Sequence, residues 1–250
     1  MNISVVPASL DRIRLWRDMH RFEMHCQITH DSIHERPGWT QEYVLAIDDV
    51  PVGYGSVAID GPWKDKPTLY EVYVVPSHRL RLLDIFRRLL EVSGAEHIEV
   101  QSNDVLATVM LHAFVPLATS EAILFHDRHV TSLAPVGATY REATESETPD
   151  VPGSLRKYRG VVEYDGQAAA NGGVMFHYNR PFGDIYMEVA EPFRRKGLGS
   201  FVVQELKRIC YENGHVPAAR CNPDNIASQR TLQKAGFVPC GHILTGAVPR

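Results

Sequence analysis

The sequence predicts an α/β (α+β) fold built as two tandem copies of one domain type. The chain has 250 residues, 44% hydrophobic and 22% charged, a globular composition long enough for two domains of roughly 100–150 residues. Strand and helix patterns alternate along both halves, and the order of elements in the first half recurs in the second. We therefore predict domains at 1–130 and 131–250.

The pattern of the first half predicts a strand, a long helix and a hairpin that turns at Asp48-Asp49. It then predicts a strand that ends at Pro76 and a helix that ends at Gly94. A strand, a helix and a last strand follow. The predicted strands are 3–7, 43–48, 52–59, 69–75, 97–100 and 122–126, and the predicted helices are 9–27, 80–92 and 105–114.

The second half has the same order without the long first helix. Strands 160–164 and 173–177 flank a Gly/Ala-rich connection (165–172), and the polar stretch 142–153 is predicted to be a loop. The remaining predicted elements are strand 185–189, helix 198–213, strand 216–221, helix 225–235 and strand 237–244. The copies align best at 69–83 (LYEVYVVPSHRLRLL) and 185–199 (IYMEVAEPFRRKGLG).

Composition excludes several classes of partner. The formal charge is −4 with no concentrated basic tract, which argues against nucleic acid as the main partner. No apolar run of ~20 residues is present, so we expect no transmembrane helix, and the amino terminus lacks a signal-peptide layout. The cysteines form no CxxC pair, which is typical of reduced core thiols and predicts a cytoplasmic protein.

Histidines cluster near the amino terminus. The chain has 12 histidines, and His20, His25, His30 and His34 lie close together in sequence. No HExxH motif or cysteine pair accompanies them, so we expect solvated or core histidines and no metal site.

The segment 194–200 (RRKGLGS), named here the glycine turn, connects a predicted strand to a predicted helix. Gly197 and Gly199 allow a tight bend and close approach of a ligand to the main chain. Amides in the first turn of a helix favour an anion, and Arg194, Arg195 and Lys196 add positive charge. The pattern predicts a diphosphate site; a basic surface turn is the alternative.

This segment resembles the coenzyme A motif of the GNAT superfamily of N-acyltransferases, Arg/Gln-x-x-Gly-x-Gly/Ala between the fourth strand and the third helix. Two later elements of the family also match, and the resemblance covers about 160–244. The matching elements are Arg194-x-x-Gly197-x-Gly199, Asn225-x-x-Ser228 and Gly236-Phe237.

The resemblance implies that each copy is a mixed, mostly antiparallel twisted sheet flanked by helices, with a splayed strand pair forming an acetyl-CoA wedge. The glycine turn, including Leu198 and Ser200, would hold the pyrophosphate through backbone amides. Pantetheine would pair with backbone near Val189, whose amide could polarise the thioester carbonyl. Asn225 would reach the amide arm of the cofactor.

The first copy has Arg81 and Leu83 where the second has Gly197 and Gly199. Side chains there would block close approach of a diphosphate. We therefore interpret residues 1–130 as a degenerate copy that covers the second copy and supplies part of the acceptor pocket.

Attack by an amine on a thioester requires the neutral amine and hence a base. Alternation places Glu188 and Tyr186 on one face of their strand and the odd-numbered residues on the other; if the odd-numbered face is core, Glu188 points toward the cleft. Glu188 is the predicted base, Glu191 is the second candidate, and a solvated edge carboxylate is the alternative.

The general acid is left open. Many members of the family carry a tyrosine four residues after the Ala/Ser of the last helix, and here that residue is Leu232. Ser228, Tyr186, Cys221 or water could protonate the leaving thiolate. Cys221 as an acyl-carrying nucleophile is disfavoured against a buried strand thiol.

Together these features predict an acetyl-CoA-dependent N-acetyltransferase that acts on a primary amine of a small molecule by direct attack in a ternary complex. Asp184, Glu188 and Glu191 near the expected cleft would suit a cationic amine. A non-catalytic acyl-CoA-binding sensor is the rival hypothesis, favoured by the missing tyrosine, and a longer-chain acyltransferase is a third.

Overall fold

The computed structural model describes residues 2–27, 31–144, 147, 156–176 and 180–249. The helices are α1 (Leu10–Met24), α2 (Asp31–His34), α3 (Leu82–Ser93), α4 (Val105–Phe114), α5 (Leu198–Glu212) and α6 (Ile226–Lys234). The strands are β1 (Ile3–Ala8), β2 (Thr40–Ile47), β3 (Val50–Ala58), β4 (Thr68–Val74), β5 (His97–Gln101), β6 (Thr119–Asp127), β7 (Ala138–Glu142), β8 (Arg156–Tyr164), β9 (Gln167–Met175), β10 (Phe182–Val189), β11 (Val216–Cys221) and β12 (Phe237–Ala247).

The chain divides into two compact units. The first comprises Met1–Glu121 and His242–Arg250, and the second comprises Ala122–Gly241. The sequence placed the division after residue 130 and kept each half contiguous. In the structure, residues 122–130 belong to the second unit and the last nine residues belong to the first.

Each unit contains a mixed and mostly antiparallel sheet of the same order. In the first unit, β1 to β4 are consecutive antiparallel neighbours, β5 runs parallel to β4, and the end of β12 pairs antiparallel with β5. In the second, β7 to β10 are consecutive antiparallel neighbours, β11 runs parallel to β10, and β6 pairs antiparallel with β11.

The sixth strand of each sheet comes from the other half of the sequence. Ile243–Ala247 of β12 pairs with β5, whereas Ile123–His126 of β6 pairs with β11. Both strands were expected from the sequence as the last of their halves, and strand patterning contains no information on which sheet they join. This exchange of β6 and β12 between the two sheets explains why the compact units differ from the two halves of the sequence.

The hairpin between β8 and β9 turns at Asp165-Gly166, where both residues have positive φ (50° and 77°), as a tight two-residue turn requires. The predicted connection 165–172 was therefore too long, because β9 begins at Gln167. Its Ala/Gly run has low strand propensity, but pairing with β8 on one side and β10 on the other makes it a strand. The strand β7 was also missed.

The predicted loop 142–153 meets β7 at Glu142, and its residues 145–146 and 148–153 lie outside the described residues. Residue 177 of the predicted strand 173–177 also lies outside them, as does His30 of the histidine cluster.

The core of the second unit lies between α5 and the strands β8 to β10. The buried residues Leu198, Val202 and Leu206 of α5 pack with Val162 and Val174 of the sheet. This packing fixes the start of α5 against β10, which positions the glycine turn. None of the described helices combines the length and apolarity needed to cross a membrane.

Candidate active site

The parallel strands β10 and β11 separate after a short paired segment. Their register includes Phe182 with Val216, Gly183 with Pro217 and Asp184 with Ala218. Among the described residues no further pair joins these two strands, although β10 continues to Val189 and β11 to Cys221. A wedge-shaped gap therefore opens toward the carboxyl ends of both strands, as the resemblance implied.

The backbone of Val189 faces this gap. Ala190 N–H donates to the carbonyl of Ala169 on β9 at 3.0 Å. Because backbone groups of successive residues in a strand point to alternate sides, the N–H and C=O of Val189 point away from β9. Arg194 Nε donates to the Val189 carbonyl at 3.2 Å. The N–H of Val189 therefore points into the gap, where the carbonyl oxygen of a bound thioester could accept its hydrogen bond.

The two glycines of the glycine turn are needed for different reasons. Gly197 precedes α5 with φ of 82°, and a Cβ there would approach only Lys234 Nζ, at 3.3 Å. Gly199 lies inside the helix, where a Cβ would come within 3.1 Å of Thr231 Cγ2 and 3.2 Å of Val189 Cγ2. Gly197 is required for its backbone conformation, and Gly199 for the close packing of α5 on β10 and α6.

The first N–H groups of α5 have no acceptor inside the helix. The N–H of Phe201 donates to the Gly197 carbonyl at 3.1 Å, so the preceding amides of Leu198, Gly199 and Ser200 lie before the first intrahelical bond. Ser200 Oγ donates to the Thr231 carbonyl at 3.0 Å, which leaves its amide rather than its hydroxyl for a ligand.

The three basic side chains of the glycine turn are exposed, and two of them have contacts within the unit. As described above, Arg194 donates a hydrogen bond to the carbonyl of Val189. Lys196 Nζ lies 4.3 Å from the centroid of the Tyr164 ring, a cation–π contact. With Arg195 they place three positive charges beside the free amides of α5, which is the electrostatic setting of an anion site.

The helix α6 begins with a capping contact. Asn225 Oδ1 accepts from the Ser228 N–H at 3.0 Å, so this oxygen stabilises the helix. Burial raises the pKa of the Cys221 thiol, and a hydrogen bond with Ser228 opposes that shift. Leu232, at 3% exposure, belongs to the core. The structure therefore brings Ser228 and Cys221 together at the end of β11.

Glu188 lies on the face of β10 opposite α5. A Cβ at Gly199 would lie near both Val189 and Met187, so the odd-numbered side chains face the helix. Glu188 is exposed and pairs in register with Asn171 of β9. Tyr186 pairs with Gly173, and its ring occupies the space that a side chain at that glycine would need.

Glu188 lines a cavity of about 380 Å³ on this face of β8, β9 and β10. Small residues leave the space open, and three charged side chains surround it. The lining residues are Ala143, Glu147, Arg159, Gly160, Val161, Ala168, Ala169, Ala170, Asn171, Glu188 and Ala190. The sequence did not reveal this cavity, because residues 165–172 were predicted to form a connection and residues 168–170 are part of strand β9.

Asp184 differs from the other carboxylates expected near the cleft. It is buried, and burial raises its pKa to about 7. Arg220 Nε lies 3.5 Å from Asp184 Oδ2, a contact too long to offset the loss of water. Glu191, the second candidate base, is exposed and begins the short 3-10 turn that follows β10.

The first unit has no equivalent of Gly197. Arg81, at the corresponding position, precedes α3 with φ of −109°, so the chain enters that helix without a left-handed residue. Leu83 is half-exposed at the position of Gly199.

Beyond the residues of β4 that pair with β5, the first unit contains a buried polar network centred on Glu71. Its carboxylate accepts Arg17 Nε and Nη2 at 2.8 and 2.9 Å and the Tyr54 hydroxyl at 3.0 Å. His34 lies between Glu71 and Glu42, at 3.3 and 3.0 Å. Burial favours neutral forms, but these contacts outweigh it, raising the pKa of His34 and holding that of Glu71 well below its usual range.

Comparisons with known proteins agree with this geometry. Residues 135–237 match the model of the Acetyltransferase (GNAT) family. No curated protein matches the sequence.

Similar solved structures include an acetyltransferase of the GNAT family from Colwellia psychrerythraea (TM-score 0.74, 14% identity, 100% of both chains). A tandem GNAT protein from the clavulanic acid biosynthesis pathway has a TM-score of 0.65 and 14% identity over 100% of this chain and 99% of that one. A GCN5-related N-acetyltransferase from Sphaerobacter thermophilus has a TM-score of 0.61 and 12% identity over 99% and 96%. At these identities the structures establish a shared fold.

Proposed function

We propose, from the match of residues 135–237 to the Acetyltransferase (GNAT) family, that the chain is an acyltransferase and transfers the acetyl group of acetyl-CoA to a primary amine of a small molecule. The observation that supports this most is the gap between β10 and β11, with the Val189 N–H directed into it and the free amides of α5 beside it. The amine attacks directly, with both substrates bound.

The residues around the gap fit a coenzyme A thioester. The diphosphate would be held by the amides of Leu198, Gly199 and Ser200, with charge supplied by Arg194, Arg195 and Lys196 and steric room by Gly197. Bound acetyl-CoA supplies the thioester, and the Val189 N–H stabilises the oxyanion that develops on its carbonyl. Asn225 would contact the amide arm through its NH₂ group, since its oxygen caps α6.

The amine would enter the cavity beside Glu188. This carboxylate lies on the residue before Val189 and forms no hydrogen bond or ion pair with other described residues, so it is available to take a proton from the ammonium group, directly or through water. We assign Ser228 as the acid for the leaving thiolate, because it lies beside Cys221 at the end of β11. Tyr186, whose ring covers Gly173, is the second choice.

Buried Leu232 at the usual tyrosine position favours one other function, an acyl-CoA sensor that does not turn over. A single assay distinguishes the acetyltransferase from the sensor. The acetyltransferase releases coenzyme A thiol from acetyl-CoA in the presence of a suitable small amine. Acetyl-CoA binding without thiol release for any amine would instead support the sensor.

The four cysteines are free thiols, which supports our placing the protein in the reducing cytoplasm.

Replacing the proposed base tests the role of Glu188 more specifically than the thiol-release assay alone. Glu188→Gln is expected to lower kcat by roughly 10²–10⁴-fold, the usual contribution of general base catalysis, with little change in acetyl-CoA affinity. Glu191→Gln is the matched control, since Glu191 is an exposed carboxylate three residues away that lines no part of the cavity. Wild-type turnover of the Glu188 variant, or equal losses in both variants, would remove Glu188 from the mechanism.

A further inference from the structure

The cavity beside Glu188 contains a positive charge that the proposed reaction does not use. Its charged lining residues are Glu147, Arg159 and Glu188. The Glu147 carboxylate is already paired, because Arg141 Nη1 and Nη2 each donate to it at 2.8 Å, while Nε of the same guanidinium donates to Glu163 at 2.7 Å. The other two charged lining residues, Arg159 and Glu188, carry opposite charges and form no ion pair with any described residue.

Strand register places these two charges on one face of the sheet. Arg159 of β8 pairs with Gly173 of β9, whereas Val161 pairs with Asn171, which pairs in turn with Glu188 of β10. Directly opposed residues point to the same face, and so do residues two apart on one strand. Arg159 and Glu188 are thus two strands apart and offset by two residues, which separates their Cα atoms by about 12 Å.

The space between them is open and of molecular size. Gly160, Ala168, Ala169 and Ala170 contribute no long side chain to the lining. Arg159 and Glu188 both line this cavity of about 380 Å³ and form no ion pair with each other, so a small bifunctional molecule can fit between their charged groups. Its ends would meet opposite charges.

A hydrogen bond orients Arg159, and its remaining guanidinium donors form no hydrogen bond with described residues. Its Nη1 donates to the main-chain carbonyl of Glu147 at 2.8 Å, and no carboxylate among the described residues pairs with it. A guanidinium has five N–H donors in a planar fork that matches a carboxylate in bidentate geometry. The contact with Glu147 therefore fixes the fork while leaving donors for a ligand.

We propose that the acceptor is an amine that also bears a carboxylate, the chemical class of amino acids, with its carboxylate on Arg159 and its ammonium group at Glu188. This inference rests on the proposed function. It makes Arg159 a specificity-determining residue, since an amine without a carboxylate has no anionic group for the guanidinium to bind.

The test compares two series of acceptors with wild-type protein. Amino acids of the form H₂N–(CH₂)n–COOH, from glycine to 6-aminohexanoate, are each compared with the alkylamine of the same number of carbons by thiol release. We expect kcat/KM to be at least tenfold higher for one or more of the amino acids. If alkylamines are acetylated as well as their carboxylated counterparts throughout, this inference fails while the proposed function stands.

The variant Arg159→Gln separates binding from structural support. It should raise KM for the preferred amino acid by roughly 10–100-fold, as expected for loss of hydrogen bonds to a charged group, and leave alkylamine kinetics unchanged. Arg208→Gln is the control, because Arg208 pairs with Glu205 and Glu212 on the surface of α5. Equal losses for both acceptor series in Arg159→Gln would show that Arg159 only supports the local structure and would overturn the proposal.

Calorimetric binding of the same amino acids, with acetyl-CoA present, gives a readout that does not need turnover. If no amine of any kind releases thiol, the proposed function fails, and binding then decides this inference alone. Binding by wild type that weakens in Arg159→Gln but not in Arg208→Gln supports the carboxylate site. No binding of any amino acid to wild type contradicts it.

Discussion

Gly197→Trp tests whether the glycine turn binds the diphosphate. A side chain at φ of 82° costs about 1–2 kcal/mol of stability, and the space outside Gly197 is open apart from the flexible end of Lys234. The indole would therefore cover the free amides of α5 rather than disrupt the core. Each hydrogen bond to a charged group contributes ~1.5–3 kcal/mol, so loss of two lowers acetyl-CoA affinity by roughly 10²–10⁴-fold.

Gly214→Trp is the matched control. Gly214 follows the other end of α5, has φ of 72° and has nothing within 4 Å of an added Cβ. Both variants should lower the melting temperature by similar amounts, roughly 2–4 °C per kcal/mol in a chain of this size. Only the Gly197 variant should lose affinity in a calorimetric titration. Wild-type affinity in that variant, or equal losses in both, would refute the assignment.

Two further predictions concern buried carboxylates. Asp184→Asn should stabilise the protein, because the native pKa of about 7 means that ionisation of Asp184 opposes folding. The gain in the free energy of unfolding should grow from about pH 4 to pH 7 and stay constant above, at most on the order of 4 kcal/mol. A variant less stable than wild type at pH 8 in denaturant unfolding would contradict this. Glu71→Gln should cost about 3–5 kcal/mol, because it removes the buried carboxylate that pairs with both Arg17 and His34 and leaves Arg17 only the more exposed partner Asp31. Glu23→Gln, which breaks the more exposed pair with Arg79, should cost about 1 kcal/mol or less. Similar costs for the two would show that burial does not set the strength of these pairs.

The sequence predicted features that depend on local pattern. The fold class, the glycine turn between strand and helix, and the inward face of β10 all follow from periodicity, from the backbone freedom of Gly197 and from the family resemblance. The hairpin turn at Asp48-Asp49 has positive φ at both residues, as its composition indicated. The two turns and the alternation along β10 are each determined by a few consecutive residues.

Features that depend on distant contacts were not predictable. The exchange of β6 and β12 between sheets is decided by backbone pairing, which any strand can make. The Ala-rich strand β9 forms because neighbours pair with it on both sides. The network around Glu71 unites residues of α1, α2 and three strands, and Arg159 became notable only when register placed it on the same face as Glu188.

A crystal structure of the protein with acetyl-CoA would test the proposed cofactor site most directly. We expect the diphosphate on the amides of residues 198–200 and the pantetheine arm between β10 and β11, with the thioester carbonyl at the Val189 N–H. A ligand bound in the first unit, or one whose diphosphate does not touch the start of α5, would contradict it.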